Sequence, residues 1–168
     1  MARIPKLFLE TTIFNFYFDG KQGQKRKDTL ALFKEIQKGR YKPFTSDAVI
    51  KELRRTKKEK FDKMFSLTEE YNIPILIPVK ASYALAKKYI KSGIIPPDYP
   101  EDALHIAVAT VENIDFLLSW NMGHIVKQKT MIGTGFIAID ENCPHVLLCT
   151  PSEVMEYDQG RESRRAEK

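Results

Sequence analysis

The sequence predicts one α/β domain built in three layers, with helices on both faces of a mostly parallel central sheet. Three observations predict it. Short apolar runs of β-like composition recur along the chain, and helical patterns of roughly 10 to 15 residues separate them, as strand–helix–strand units require. One of those patterns, PEDALHIAVAT at 100–110, is apolar almost throughout, so that helix must lie against a sheet. A chain of 168 residues, 43% of them hydrophobic, also has the size and apolar surface of one domain with a real core.

The first strand is expected over 6–9, where KLFL runs into Glu10; Thr11 and Thr12 then read as a turn leading into the aromatic run IFNFYF. Leu30, Leu32, Phe33 and Ile36 set a helix over 28–38. A second strand follows over 42–45, and Ser46 is placed to cap a helix over 47–55. A helix over 60–70, a strand over 73–77, and helices over 82–91 and 101–111 continue the alternation, followed by a strand over 115–120. Residues 127–144 stay open between a helix and an extended lid, because Gly133 and Gly135 in GTG, and the Asn-Cys-Pro after them, argue against a long helix. A last strand is expected over 145–149. Residues 1–150 thus form the single domain, and 151–168 a C-terminal extension whose final ten residues, QGRESRRAEK, read as a disordered basic tail.

Composition narrows the setting. The longest apolar run, IPILIPV, is far shorter than the roughly 20 residues of a membrane helix, and MARIPK lacks the apolar core of a secretion signal, so a soluble, cytoplasmic protein is expected. Cys143 and Cys149 are the only cysteines, which indicates neither a zinc site nor a disulfide framework and suits a reducing compartment. The net charge of +5 favours polyanionic partners without excluding others. Its distribution is more telling, since Lys51, Arg54, Arg55, Lys57, Lys58, Lys60 and Lys63 crowd one stretch that reads either as a solvated helix face or as a phosphate-facing surface.

In open parallel sheets, ligands bind beyond the carboxyl ends of the strands, beside a switch in strand order. Glu10 stands at such an end. Glu52 falls inside the helix after the second strand, Asp102 in the first turn of the apolar helix, and Ser119 and Asn121 at the end of DFLLSWN. Each has a plain structural reading: Asp102 favours a helix dipole, Glu52 pairs with Arg54 or Arg55, Glu10 accepts turn hydrogen bonds, and Asn121 shapes a turn with Met122 and Gly123. Taken together, Glu10, Glu52, Asp102 and Asn121 at one sheet edge point to a site.

These residues, in the order strand-Glu-Thr-Thr, Ser-x-x-x-x-x-Glu, Asp-Ala-Leu-His-Ile-Ala and Leu-Leu-Ser-Trp-Asn, resemble the PIN domain, the ribonuclease domain of VapC-type toxins. The resemblance spans about residues 4–150. It implies a Rossmann-like α/β/α sandwich, Mg²⁺- or Mn²⁺-dependent hydrolysis of RNA phosphodiester bonds, frequent homodimers and a small antitoxin partner. Carried over by position, Glu10, Glu52 and Asp102 are the metal ligands and, with Asn121, the catalytic set; Thr11, Thr12 and Ser119 are the orienting shell. Two positions depart from the pattern. Glu10 replaces the usual aspartate with a longer arm, and Asn121 replaces the usual fourth acid with a neutral amide.

The chemistry accounts for the grouping. Hard divalent ions take oxygen ligands and let substrate phosphate complete their shell, activating water while neutralising charge. Clustered carboxylates repel one another unless a cation lies between them, so metal is expected to stabilise the fold, with one ion bound normally and a second weakly beside Asn121. Lys51, Arg54, Arg55, Lys57 and Lys58 are the candidates for the RNA backbone. His105 is expected to be a satisfied core residue, and His124 to meet substrate or solvent. Trp120, Phe14, Phe16, Tyr17 and Phe18 read as base-stacking surfaces or, more simply, as core. Two other readings stay open: a catalytically weak or inactive PIN-like module that binds RNA or protein, favoured by Asn121, and a small phosphatase, which would require a nucleophilic aspartate that the first strand does not supply.

Overall fold

The computed structural model describes residues 3–21 and 23–168. Among these residues, five strands form one sheet: β1 (Lys6–Leu9), β2 (Lys42–Ser46), β3 (Ile75–Leu76), β4 (Phe116–Leu118) and β5 (Leu147–Cys149). Their order is β3-β2-β1-β4-β5 and every pairing is parallel. The chain fills one side of β1 first, with β2 and β3, and then crosses to the other with β4 and β5. The switch point therefore lies between the carboxyl ends of β1 and β4. There Leu9 pairs with Leu118, and the Glu10 N–H donates to the Leu118 carbonyl at 3.2 Å, so Glu10 and Ser119 emerge side by side.

Among the described residues, eight helices cover the sheet in a three-layer α/β/α arrangement: α1 (Thr11–Phe18), α2 (Gly23–Gln37), α3 (Asp47–Leu53), α4 (Lys58–Glu70), α5 (Lys80–Lys91), α6 (Pro100–Val111), α7 (Gln128–Asp140) and α8 (Pro151–Ala166). The central strand is sealed on both faces, with Leu7, Phe8 and Leu9 fully buried. Helix α6 explains its own composition, since Ala103, Ile106, Ala107, Val108 and Ala109 are all within the core. Three helices end on an asparagine in the left-handed region: Asn72 after α4, Asn113 after α6 and Asn142 after α7, with φ between 50° and 56°. Asparagine tolerates that conformation better than other residues with a Cβ, so it serves as a helix stop here.

Two segments differ from the sequence expectation, and a third takes one of the two forms it left open. Thr11 and Thr12 open a helix instead of a turn: the Glu10 side chain caps it by accepting from Thr12 N at 3.1 Å, and Ile13 and Phe14 bury one face. Residues 128–140 form helix α7 despite GTG. A Cβ on Gly133 would come within 2.7 Å of Ile94, and one on Gly135 within 3.0 Å of His145, so these glycines allow close packing and do not break the helix. The extension after 150 begins as a helix under a capping box, in which Thr150 and Glu153 bond each other's backbone, with Pro151 at its first position and Val154 buried. Helix α8 continues to Ala166 where a disordered tail is expected, held on α2's side by Asp158, which accepts from the Tyr41 hydroxyl at 3.4 Å, and by Glu162, paired with Arg40.

Candidate metal centre

Glu10 is only 3% exposed, an unusual place for a carboxylate without a partner charge. Its Oε2 accepts three hydrogen bonds, from Thr12 N at 3.1 Å, Thr12 Oγ1 at 2.6 Å and Ser119 Oγ at 2.7 Å. The neighbours are themselves fixed. Thr12 Oγ1 accepts from Trp120 N, and Ser119 Oγ from Asn121 N, so α1 and the end of β4 are stitched together through the Glu10 carboxylate. Burial raises the Glu10 pKa, and the His105 charge together with the Thr12 and Ser119 hydrogen bonds only partly offsets it.

Glu52 reaches the same place from α3. Its Oε2 accepts from Thr11 Oγ1 at 3.0 Å, and its Oε1 pairs with Nε2 of His105. Thr11 thus orients Glu52 while Thr12 orients Glu10, a division of labour between adjacent threonines. One ligand atom from each of Glu10, Glu52 and His105 lies within 4.8 Å of the others. His105 is fully buried, as a core histidine would be, yet it is not satisfied within the core, because Nδ1 has no partner among the described residues. Burial opposes the imidazolium, but the hydrogen bond and charge of Glu52, with Glu10 and Asp102 behind it, raise the pKa above the ordinary value. For Glu52 burial acts upward, and the pairing with His105 outweighs it and lowers the pKa. Spacing carried the one signal for His105: three residues after Asp102, it shares that acid's side of α6.

Asp102 stands beside this group rather than within its 4.8 Å circle. It is close enough for His105 and Glu52 to act on its charge, and burial raises its pKa against the influence of His105 and His124. Its Oδ2 faces His124 Nδ1 at 3.2 Å and the Asn121 amide at 3.4 Å. Asn121 is oriented by its backbone. Its Oδ1 accepts from Gly123 N at 3.2 Å and His124 N at 3.0 Å, so the carbonyl expected to be a weak ligand is occupied in a turn, and the NH₂ points toward the acid.

The basic candidates are all exposed. Two already have partners: Lys51 with Asp47 at 2.9 Å and Arg55 with Glu101 at 2.5 Å. Arg54 lies over the Phe61 ring, 5.7 Å from its centroid. Lys51, Arg55 and Tyr83 line a cleft that reaches Glu52. The aromatic candidates sort mostly into packing. Phe14 is core, Tyr17 meets Phe33 and Tyr71, and Trp120, which is 9% exposed, donates its Nε1–H to Thr29.

The donor set fits a hard divalent cation. Carboxylates supply Mg²⁺ and Mn²⁺ with the oxygens they prefer, and imidazole suits other metals better, so His105 fits as the group holding Glu52 more than as a ligand. Burial raises the pKa of both Glu10 and Asp102 and so disfavours their charged forms, which a cation held between them would favour again.

Two solved structures show how this architecture compares. The chain is similar to VapBC2 from Rickettsia felis, solved bound to a DNA fragment from their promoter, at a TM-score of 0.52 and 17% identity, covering 85% of this chain and 96% of that one. It is also similar to VapC20 from Mycobacterium tuberculosis, a sarcin-ricin loop cleaving toxin, at 0.51 and 12%, covering 70% of this chain and 92% of that one. No protein-family model and no curated protein matches the sequence. With its all-parallel sheet and the switch point between β1 and β4, the chain has the PIN-domain fold of the VapC type.

Proposed function

We propose that the protein is a metal-dependent endoribonuclease whose centre is Glu10, Glu52 and Asp102. The observation that carries this reading is the convergence of Glu10, Glu52 and His105 at the switch point of a VapC-type fold, with Asp102 alongside. When bound there, Mg²⁺ or Mn²⁺ would neutralise charge on the phosphodiester and make water a better nucleophile. The protein's own contribution is placement. Thr12 and Ser119 fix the Glu10 carboxylate, Thr11 and His105 fix that of Glu52, and Asn121 and His124 hold Asp102. Lys51, Arg54, Arg55, Lys57 and Lys58 would carry the RNA backbone past this centre.

The VapC likeness supports a place in a toxin–antitoxin pair, with a small antitoxin as partner, a homodimeric state and a cytoplasmic setting. A second reading has its own support. The Asn121 oxygen is already occupied and the described structure gives Glu52 a histidine partner, as a module that binds RNA without cutting it would allow. Purified protein with a mixed RNA pool separates the two. Cleavage in Mg²⁺ or Mn²⁺ that EDTA stops, and that Asp102→Asn and Glu52→Gln lack, supports the enzyme. RNA binding without cleavage in either metal supports the module, and cleavage that both variants retain removes the site assignment.

A further inference from the structure

Tyr99 keeps 44% of its surface exposed although prolines flank it on both sides. Gly93, with φ of +74°, turns the chain out of α5; Ile94 and Ile95 then anchor it, being 8% and 0% exposed. Pro96, Pro97 and Pro100 restrict the backbone around Tyr99, whose N–H donates to the Pro96 carbonyl at 3.0 Å. An aromatic ring held rigidly in water must have its position set by something other than the core.

One side of that ring rests on His124, with centroids 3.8 Å apart and planes tilted by 37°. His124 is as firmly placed as its neighbour. Its N–H donates to Asn121 Oδ1, its carbonyl accepts from Thr130 Oγ1 at 2.8 Å, and its Nδ1 meets Asp102 Oδ2 at 3.2 Å, while the side chain remains 24% exposed. Exposed Phe136 and Tyr157 lie on α7 and α8, well separated from the acids along the chain. Tyr99, by contrast, caps the N-terminus of α6, three residues before Asp102. A flat group resting on it would lie within a nucleotide or two of the acidic centre.

We propose that Tyr99 and His124 form a stacking platform for a nucleobase of single-stranded RNA, beside the phosphodiester that the acidic centre holds. The nature of the ligand rests on the ribonuclease reading above. Every base has a π-face, so such a platform contributes affinity and strand position with little choice of sequence. Because both rings are fixed before RNA arrives, binding loses little side-chain entropy.

The test uses the full chain in EDTA, which keeps RNA intact, and short single-stranded RNAs with 2-aminopurine walked through successive positions. Wild type and Tyr99→Phe should quench the fluorophore at one or two adjacent positions. Tyr99→Ala and Tyr99→Leu should lose that quenching and bind about ten-fold more weakly, the order expected for one stacked base. Leucine fills the space without an aromatic face, which separates stacking from packing. Tyr157→Ala, which removes an exposed ring from α8, should behave as wild type. The proposal is overturned if Tyr99→Ala and Tyr99→Leu quench and bind as wild type does, if Tyr157→Ala loses as much as they do, or if wild type quenches nowhere. Quenching without cleavage in Mn²⁺ would leave the platform standing and remove the nuclease; cleavage with quenching that ignores Tyr99 would do the reverse.

Discussion

Adjacent acids at this centre have opposite pKa shifts, and the difference sets how the metal-free protein responds to pH. Despite burial, pairing with Glu52 raises the His105 pKa, so its stabilisation is complete below the unfolded value of about 6.5 and is lost as pH rises through the folded value. The lowered pKa of Glu52 acts at the other end, contributing above about 4.3 and failing as pH falls through its folded value. Burial raises Glu10 and Asp102, so what they contribute is complete below their unfolded values of about 4 and is lost as pH rises through their folded values. In EDTA the melting temperature should therefore peak between about pH 4 and 5 and fall toward pH 9, and His105→Gln should flatten the part of that fall above about pH 6.5. A wild-type melting temperature unchanged from pH 6 to 9 in EDTA would contradict the linkage. Asn121 gives a second test at this scale. Asn121→Asp replaces the amide donor facing Asp102 with another acceptor, bringing a like charge near 3.4 Å. It should cost about 1–2 kcal/mol in EDTA, a shift of several degrees that Mn²⁺ reverses; an unchanged melting temperature would mean that the amide contributes nothing there.

At the scale of elements, the parts of the fold that were legible were those where periodicity and burial agree. The strand at 6–9 matches β1 residue for residue, and the apolar stretch of α6 announced a helix against the sheet. The parts that were not legible depend on contacts far away in sequence. Glu10 was read as a possible ligand and as a turn former, but its role as a helix cap needs α1 packed into the core through Ile13 and Phe14. His105 differs from a core histidine only because Glu52 arrives from another helix. Gly133 and Gly135 carry the strongest local signal against a helix, and that signal yields to packing against Ile94 and His145. Alanine substitutions can separate the two effects. A Cβ at Gly160 in α8 meets nothing within 4 Å, so Gly160→Ala should gain stability by about 0.5–1 kcal/mol from helix propensity. Gly133→Ala gains the same propensity but drives a Cβ into buried Ile94, and should lose about 1–2 kcal/mol net. Chemical denaturation of both variants decides the matter: a stabilising Gly133→Ala would mean that α7 has room that the packing does not show.

For the whole molecule, a +5 charge surrounds an acidic centre, so RNA must be drawn by one field and held against another. The five candidate cations differ in availability. If all five released counterions from single-stranded RNA, the logarithm of affinity would fall against that of salt with a slope of about −3.5, at roughly −0.7 per contact. Lys51 and Arg55 are already paired with Asp47 and Glu101, and taking up phosphate exchanges one ionic partner for another. That exchange removes much of their share, leaving Arg54, Lys57 and Lys58 to set a slope near about −2. Fluorescence anisotropy with a short labelled RNA in EDTA, over increasing KCl, measures it directly. A slope near zero would place RNA elsewhere, and one of −3.5 or steeper would show the paired cations acting as free ones. Glu101→Gln frees Arg55 alone, so it should steepen the slope by somewhat less than one contact, roughly −0.7, if the pairing is what withholds that arginine from the RNA.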